Sequence, residues 1–597
     1  MAVFFTFPGW SSGPGEIGDV RLKNKIIPLT NQVYRLLDHY EAAGFVPFLP
    51  QARPYSKVFI LNLLNDLKSN SRISGKEKEE IERYFRDFSR ESNGVQFAKT
   101  TVRNCTALVG FGAETYARQG VGENGATSYS LTALPHLSGD LTDHLTFSAT
   151  MGPAIEQLTP DLFYRSYTKG GQVVFPYLEN GFSWLPYRFN HESLYLHIGV
   201  SDKTGRRDIS GEMSVGMVYY TELSASWFGG ALQFSMNNQR RAWGHDSENL
   251  VLSSTARRFP GLELKMEPAN WLRYSMLTGS LSHFSNSGAG YLSSIYGYDV
   301  GASLKMFSLH LLEITPSDWL QISATAGNVW VKRMEPAYLM PFVFPLFTEL
   351  EVGDFDNLTM GLDFAFRIPG VGKAWFSVFN DEFSFIEKGN LLRKPRNRYA
   401  WQAGIRSAAP SAIIPSTTAT LKWTRLTPFV YTHYPETRLT GNSSRPIDMT
   451  YSHDGFNLGF YLPPNSGELN LTLVNRMVPD LVLSLENRLI LHGTNDLGSS
   501  NIYQIYGDIY RHQFTQSTGT VEDYPLTNFT KDGIYDKTFE SEFQFDWKVR
   551  KVSFINYFRV IGSIGVSHTQ WNGNQTVIGI PSSHTFLSSS IGITVDI

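Results

Sequence analysis

Cysteine is almost absent from this chain: Cys105 is the one cysteine among 597 residues. An intramolecular disulfide needs two cysteines and a thiolate metal cluster needs several, so the sequence excludes both. We interpret Cys105 as a small apolar residue of the first strands rather than as a reactive thiol.

Long apolar runs are lacking as well. No stretch approaches the roughly 18 apolar residues of a membrane-spanning helix. The opening residues, MAVFFTF, are too few for a signal peptide and have neither its basic region nor its small-residue cleavage site. We therefore expect the chain to be the mature form of an exported protein, beginning with an initiator methionine.

Charged residues are scarce. They make up 18% of the sequence, against about 25% in average globular chains, whereas aromatic residues reach 14%. The deficit of charge implies that much of the surface meets something other than bulk water. Aromatic side chains suit an interface between apolar and aqueous media. The net charge of -3 argues against nucleic acid as a partner.

Signatures of enzymatic chemistry are missing too. The sequence contains no H-E-x-x-H and no G-x-S-x-G element. His245 and Asp246 are adjacent, and adjacent residues of a strand point to opposite faces, so they would not form a catalytic relay. Asp354, Asp356 and Asn357 could ligate a cation, but they lack the spacing of a calcium loop, and a turn is favoured. We expect no catalytic residue, no metal and no cofactor.

The first part of the chain, residues 1–104, is predicted to be helical. Apolar residues recur at helical spacing within 28–44, and similar runs follow Ser56 and Ser74. Three such amphipathic runs predict a small α-helical bundle. The apolar face of the first run is formed by Val33, Leu36, Leu37 and Tyr40.

From residue 105 to 597 the hydrophobic period changes to two. In WLQISATA, which begins at Trp319, the apolar residues Leu320, Ile322 and Ala324 alternate with polar ones, and WLRYSML at 271–277 alternates in the same way. This alternation is typical of a sheet with one apolar and one polar face. A soluble antiparallel sandwich would show it too.

Turn lengths separate a membrane barrel from a sandwich. Short connectors at 266–271, 314–319, 477–482 and 547–552 alternate with long polar connections such as 281–300 and 434–455. Tight turns at one end and long loops at the other are typical of outer-membrane barrels. Aromatic residues beside the short turns suggest an interfacial girdle; they are Trp271, Trp319, Phe342 and Trp547.

These patterns predict an all-β transmembrane antiparallel β-barrel with a small N-terminal α-helical bundle. Its length allows about 16 to 20 strands, with an even number expected. The alternating segment SSSIGITVDI at the end of the chain is predicted to close the barrel. We expect the helices at the periplasmic end, beside the short turns, where they could cover the opening of the lumen.

One polar stretch, residues 237–261, interrupts the alternation. Its arginines could donate paired hydrogen bonds to carboxylates, either of the barrel itself or of an acidic polymer. Trp243 could stack against sugar rings, as could Phe259. The candidate glycan-binding or lumen residues are Arg240, Arg241, Trp243, His245, Asp246, Arg257 and Arg258. The alternative interpretation is that the arginines only brace the barrel by pairing with Asp and Glu.

The same stretch resembles a signature of the Wzi-type capsule-assembly proteins of the bacterial outer membrane. WGHDSENLVLSSTARRFPGLEL resembles the family's Trp-Gly and Leu-x-Leu-Ser-x-x-Ala-x-x-Phe-Pro pattern, and HLLEITPSDWLQI, YLMPFVFP and DFDNLTMGLDFAF follow in the family's order. The helical VYRLLDHYEAAGFVPFLPQARPYS is also similar, so the resemblance covers about 45–370 with the helical start. It implies an 18-stranded barrel, a periplasmic helical bundle and a lectin-like anchor for surface polysaccharide. The chain ends on Ile597 rather than on the usual aromatic residue, so we expect the barrel-assembly machinery to recognise this end differently.

Three functional hypotheses follow from the sequence. The favoured one is a non-catalytic protein of the bacterial outer membrane that binds surface polysaccharide, with outer-membrane lipid and the barrel-assembly machinery as further partners. The second is an outer-membrane porin or substrate-specific diffusion channel, which needs an open lumen. The third is a soluble β-rich glycan-binding protein.

Overall fold

The computed structural model describes most of the helical segment and the strands. The described residues are 21–73, 75–90, 99–102, 105–121, 127–157, 167–169, 172–174, 214–281, 305–331, 333–353, 356–382, 398–427, 430–431, 449–453, 456–462, 464–493, 535–552, 555–572 and 583–596. The long connections predicted at 281–300 and 434–455 fall mostly outside these residues.

Three helices precede the barrel, as the apolar spacing predicts. They are α1 (Val33–Ala42), α2 (Lys57–Ser69) and α3 (Gly75–Arg90). Their apolar faces pack into one cluster in which Leu36, Leu64 and Ile81 are buried. Residues 45–56, between α1 and α2, are extended and enter the barrel lumen, as the site described below shows.

The barrel strands follow in chain order. The first nine are β1 (Cys105–Val121), β2 (Thr127–Thr142), β3 (Leu145–Gln157), β4 (Ser214–Trp227), β5 (Leu232–Asn237), β6 (Gly261–Ala269), β7 (Leu272–Leu281), β8 (Lys305–Ser317) and β9 (Leu320–Val331). The others are β10 (Asn357–Ile368), β11 (Gly372–Glu382), β12 (Arg398–Ser407), β13 (Thr417–Leu426), β14 (Ser466–Asn475), β15 (Leu481–Gly493), β16 (Tyr535–Val552), β17 (Ile555–Asn572) and β18 (Ser583–Asp596).

These eighteen strands, taken over the described ranges, form a closed barrel. Each strand pairs with the next in antiparallel register, and β18 returns to pair with β1, with Ile593 opposite Thr115. A short segment, Lys99–Val102, pairs with the beginning of β1. The closed antiparallel barrel confirms the predicted fold class and the closing role of the last strand.

The period-two pattern of the sequence corresponds to an outer and an inner face of the wall, as expected for a barrel. On β13, Leu421 and Trp423 are 45% and 44% exposed on the outer surface, whereas Lys422 and Thr424 are buried toward the lumen. Because successive side chains of a strand point to opposite faces, the barrel has an apolar exterior and a polar interior.

The helices lie at the end of the barrel that has the short turns. Two of these turns carry exposed tryptophans, Trp271 and Trp319. Beside the β14–β15 turn, Arg476 Nη1 donates to the carbonyl of Arg35 in α1 at 2.6 Å. The helices thus lie beside the short turns, as expected, whereas their periplasmic location and the division of the chain at residues 104 and 105 into two domains stay predictions.

Phe342 corrects the predicted girdle in one detail. It lies in the long connection between β9 and β10, not in a short turn. This connection contains a fourth helix, α4 (Pro345–Val352), and folds back along the barrel, so that the Phe342 amide donates to Tyr274 Oη at 2.9 Å. Phe342 therefore approaches the short-turn end in space although not in sequence. No helix in the described part of the chain is long and apolar enough to cross a membrane.

The lumen is packed with residues from two segments that fold inward. The first is 238–260, between β5 and β6, and the second comprises the described residues of 430–462, between β13 and β14. Their aromatic and aliphatic side chains join lumen-facing wall residues in one buried cluster. Its members include Trp243, Leu250, Leu252, Phe259, Leu277, Phe307, Leu309, Tyr431, Tyr451 and Phe460.

Candidate functional site

The polar stretch recognised in the sequence forms a compact loop inside the lumen. Asn249 holds this loop together, since its side-chain oxygen accepts from the amides of Val251 and Leu252, each at 2.9 Å. Its side-chain nitrogen donates to the carbonyls of Asp246 and Leu252. At Gly244 a Cβ atom would lie 2.8 Å from the Asn249 side chain. The glycine therefore allows the close approach that the loop requires.

The inward loop meets the N-terminal segment in the middle of the barrel. Ala52 and Arg53 form a short antiparallel pair of strands with Trp243 and Ala242. Gln51 extends this contact, because its carbonyl accepts from the Gly244 amide at 3.2 Å. Trp243 is only 1% exposed in this position. The segment between α1 and α2 and the loop from the opposite end thus close on each other.

A chain of buried ion pairs, which we call the lumen network, surrounds this meeting point. It connects α1, the inward loop and the barrel wall through alternating acidic and basic side chains. The contacts are Arg53–Asp38 at 2.6 Å, Asp38–Arg406 at 3.4 Å, Arg406–Asp246 at 2.6 Å, Asp246–Lys422 at 2.9 Å, Lys422–Glu248 at 3.1 Å and Glu248–Arg488 at 2.9 Å. A separate buried pair, Lys373–Glu41 at 2.8 Å, joins α1 to β11.

Arg488 is the branching point of the lumen network. Its fully buried guanidinium contacts Glu248 of the inward loop, and it also lies 3.0 Å from Glu468 on β14. Nη1 donates to Tyr461 Oη at 2.7 Å, and this hydroxyl in turn donates to Glu468. Arg488 therefore joins both inward segments to the wall. A buried guanidinium is tolerated where carboxylates and hydroxyls satisfy its Nη1 and Nη2 donors in this way.

The electrostatics of the loop and α1 favour charged carboxylates and a neutral histidine. Burial alone would raise the pKa of Asp38, but the guanidinium groups of Arg406 and Arg53 outweigh it and hold this pKa well below its usual range. Burial acts likewise on Asp246, where Lys422 and Arg406 lower the pKa. For His245, burial and the nearby cations lower the pKa well below its usual value. This shift favours the neutral form of His245, whose Nε2 lies 3.2 Å from the Gln51 side-chain nitrogen.

Two arginines of the candidate set are held by contacts within the barrel. Arg241 Nε lies 2.5 Å from Glu263 on β6, and its Nη1 donates to the carbonyl of Phe259 at 2.8 Å. Arg258 donates to the Tyr219 carbonyl, and its guanidinium lies 4.4 Å from the centroid of the Tyr220 ring. Arg241 thus pairs with a carboxylate, as the bracing alternative expects, whereas these contacts of Arg258 are with a carbonyl and an aromatic ring.

The other two arginines are half-buried. Arg240 Nη1 donates to the carbonyl of Ser254 at 3.3 Å. Arg257 lies in the inward loop, shortly before Gly261, the first residue of β6. A contact of any of the four arginines, of Trp243, or of the His245–Asp246 pair with glycan stays a prediction.

A polar cavity of about 110 Å³ lies beside the lumen network. It separates the N-terminal helix α1 from the inward loop along the inner faces of β12 to β16. Its lining includes Arg35, Asp246, Glu248, Lys422 and Glu486. The mixture of both charge signs suits water and small polar groups rather than an ion of one sign.

The sequence interpretation missed the wall partners of the loop. Arg406, Lys422 and Arg488 lie on three different strands, 160 residues or more after the loop carboxylates that they contact. A signal was present, because each occupies the inward face of an alternating strand in a chain poor in charge. Sequence spacing does not show which carboxylate each of these three cations contacts.

Two of the three candidate cation ligands, Asp356 and Asn357, contact other residues of the chain. Asp354 lies outside the described residues. Asp356 forms a paired contact with Arg333, whose Nη1 and Nη2 lie 3.1 and 2.5 Å from the carboxylate oxygens. The Asn357 side chain donates to the carbonyl of Met449 at 2.9 Å. Within the described ranges, no cluster of three or more His, Cys, Asp or Glu residues is arranged to hold a metal ion.

Comparisons with known proteins bear on the fold. No family model and no curated protein matches the chain. Among solved structures, the chain is similar to Wzi of Escherichia coli, described as a carbohydrate-binding β-barrel of the outer membrane involved in group 1 capsule assembly; identity is 10%, the TM-score is 0.51, and 96% of this chain and 99% of that chain are covered.

Two further structures align at lower TM-scores. Acinetobacter baumannii OccAB2 has 9% identity and a TM-score of 0.41, with 82% of this chain and 98% of that chain covered. Pseudomonas aeruginosa OccD3 has 11% identity and a TM-score of 0.39, with 85% and 94% covered. The likeness to Wzi and the closed sheet show that this chain has the fold of an outer-membrane β-barrel.

Proposed function

We propose that this chain is an outer-membrane β-barrel with a closed lumen, and that it binds and anchors surface polysaccharide without acting on it chemically. The observation that carries the proposal is the lumen network. It ties α1 and the inward loop to the nearby strands β12, β13 and β15 inside the lumen through ion pairs.

A closed lumen favours an anchor over a channel, because a channel needs a continuous path of water. Ala52 and Trp243, which pair inside the lumen, are each 1% exposed, and Arg488 of the lumen network is also 1% exposed. Opening a path here would separate several buried charges from their partners, at a cost of several kcal/mol for each. The interior therefore supports occlusion.

The location in the outer membrane is supported by the outer surface of the barrel. Apolar side chains are exposed around the wall, including Leu262, Leu312, Leu362, Leu421, Leu469, Phe539 and Ile591. Water would make such a surface an aggregation hazard, whereas acyl chains accommodate it. Outer-membrane lipid is thus the surrounding that this surface fits.

Polysaccharide is the proposed ligand for two reasons. The fold is similar to that of a protein described as carbohydrate-binding, and the blocks around WGHDSENLVLSSTARRFPG resemble the Wzi-type family. Arg240 and Arg257 are half-buried, and guanidinium groups bind the carboxylates of acidic glycans through paired hydrogen bonds. A repeating polymer can be held by several weak contacts, since linked contacts raise the effective concentration of one another.

Single-channel recording in a planar bilayer tests the closed lumen. We expect the purified, refolded protein to insert without a steady conductance, with and without an acidic surface polysaccharide. A large steady conductance would contradict the anchor and favour the porin hypothesis, in which the lumen arginines become selectivity residues.

Glycan binding needs its own measurement. Binding of an acidic surface polysaccharide to the protein in detergent is compared between the parent and Arg240→Ala. We expect weaker binding for the variant and unchanged binding for Lys76→Ala, a control at an exposed position of α3. Equal binding by Arg240→Ala and Lys76→Ala would show that Arg240 does not contribute to glycan binding. No binding by the parent protein would contradict a glycan ligand.

A further inference from the structure

The register of β8 defines which residues face outward. Glu313 contacts the Gln51 amide at 3.0 Å in the lumen, and the Phe307 ring centroid lies 5.6 Å from that of Tyr451. No register shift separates these odd-numbered residues, so the even-numbered residues between them face outward. Leu312, 41% exposed, marks this outer face.

Two of the outward residues are nevertheless buried and polar. Ser308 is 0% and His310 is 7% exposed. Ser308 lies opposite Thr278 on one neighbouring strand and opposite Asn328 on the other, and both of these are buried as well. Something must cover this part of the outer wall, because the neighbouring outward leucines are exposed.

The cover is residues 333–353, which we call the outer flap. Ser308 Oγ donates to the carbonyl of Tyr338 at 2.8 Å. The Tyr338 ring lies 4.9 Å from that of Trp330, another outward residue, and the Phe342 ring lies 4.6 Å from that of Tyr274. The flap thus lies on the outer surface of β7, β8 and β9.

The base of the flap is held firmly. Asp356, just after the flap, contacts the guanidinium of Arg333 at its beginning and accepts from Tyr338 Oη at 2.7 Å. Trp330 Nε1 donates to the Arg333 carbonyl at 3.1 Å. These contacts fix both ends of the flap to the rim at which β9 ends and β10 begins.

The far side of the flap is mostly apolar, although the acidic residue Glu351 near its end is exposed as well. Phe342 is 65% and Phe347 66% exposed, and the other exposed apolar residues of the flap are Met334, Met340, Phe344 and Leu350. This surface lies on the same outer side of the barrel as Leu312 and Leu362, which is 43% exposed. The apolar surface of the flap therefore continues the apolar surface of the wall.

We propose that the outer flap lies within the bilayer, between the barrel wall and the acyl chains of the membrane lipids. This rests on the proposed outer-membrane location. The apolar side of the flap contacts acyl chains, while its inner side separates Thr278, Ser308 and His310 from lipid. The Asn328 amide, which has no hydrogen-bond partner among the described residues, would be costly if it faced hydrocarbon directly. The flap makes a polar patch of the wall compatible with a membrane.

The test measures contact of single positions with acyl chains. In a Cys105→Ser background, a bimane fluorophore is attached to Phe347→Cys on the flap, to Leu362→Cys on the wall, or to Glu79→Cys on α3. Each protein is reconstituted into phosphatidylcholine vesicles containing lipids with a nitroxide on the acyl chain. We expect strong, several-fold quenching at positions 347 and 362 and little at 79. Leu350→Cys serves as the second flap position if Phe347→Cys does not fold.

The outcomes distinguish a failure of the flap proposal from a failure of the proposed membrane location. Quenching at 362 without quenching at 347 or 350 would place the flap in water and overturn the proposal, although the barrel would remain in the membrane. Absence of quenching at 362 as well would contradict the membrane location itself, and the flap proposal with it.

Discussion

Arg406 Nη2 and Asp246 Oδ2 lie 2.6 Å apart, and this ion pair joins the barrel wall to the inward loop. Asp246 also lies 2.9 Å from Lys422. The aspartate therefore acts as a bridge between β12 and β13, and the loop cannot leave the lumen without separating it from both cations.

Replacing Arg406 by alanine is expected to lower the free energy of unfolding by about 3 to 5 kcal/mol, since it leaves Asp246 buried with one partner fewer. The loss can be measured by urea unfolding in detergent micelles. Lys68→Ala is the control, because it breaks the exposed pair with Glu82 on the helices and should leave stability unchanged. Equal losses of unfolding free energy in the two variants would contradict a larger contribution of the buried ion pair to stability.

Removal of residues 1–100 is expected to raise the conductance of the barrel. The deletion takes away Gln51, Ala52 and Arg53, which meet the inward loop in the lumen, together with the helices at the short-turn end. Single-channel recording compares the truncated and full-length proteins. An unchanged, low conductance in a correctly folded truncated barrel would show that the inward segments alone close the lumen.

Acidification should destabilise the protein through His39. This side chain is buried on α1 beside Thr418, and burial, followed by the nearby Arg476, lowers its pKa to about 3. The unfolded chain takes up a proton near pH 6.5 and the folded chain does not, so stability is complete above that pH. It then falls by at most about 1.4 kcal/mol per pH unit toward pH 3.

Thermal unfolding between pH 7 and pH 4 measures this slope. In His39→Gln, which keeps a polar side chain at Thr418, the decline should be smaller than in the parent. The same decline in both proteins would assign the acid sensitivity to other groups.

Gly459→Ala is expected to destabilise the packing between the two inward segments. A Cβ atom at this position would lie 2.2 Å from the carbonyl oxygen of Leu250 and 2.5 Å from Tyr431 Oη. Overpacking of this kind costs about 1 to 3 kcal/mol. The melting temperature should fall, whereas Gly75→Ala at the beginning of α3, where a Cβ meets nothing within 4 Å, should not lower it. A melting temperature unaffected by Gly459→Ala would contradict the close packing of Gly459 against Leu250 and Tyr431.

Much of the fold could be predicted from local patterns. The change of hydrophobic period near residue 105 indicated where strands begin, and the alternation on segments such as 320–325 correctly assigned polar residues to the lumen. Helical spacing identified α1, α2 and α3, because burial of one face repeats every three to four residues along the chain itself. Phe342 was misplaced since a loop that folds back along a wall has no local periodicity.

The candidate site could be predicted only in part. Residues 237–261 were recognised as unusual from composition, and Arg241 does pair with a carboxylate, Glu263. The residues that complete the network are distant in sequence, such as Asp38 in α1 and Arg488 in β15. A single sequence contains no information on which of many charged residues approach one another.

The sequence by itself determined that this chain forms an antiparallel barrel with an apolar exterior, because an apolar outer face and a polar inner face impose a period of two on every strand. Only the tertiary structure decided that the interior is filled. Ala52 pairs with Trp243 across 191 positions of the chain, and the outer flap covers wall residues of strands that precede it. Such contacts depend on how distant segments meet in space, and each buries charge or polar groups that no local pattern assigns to a partner.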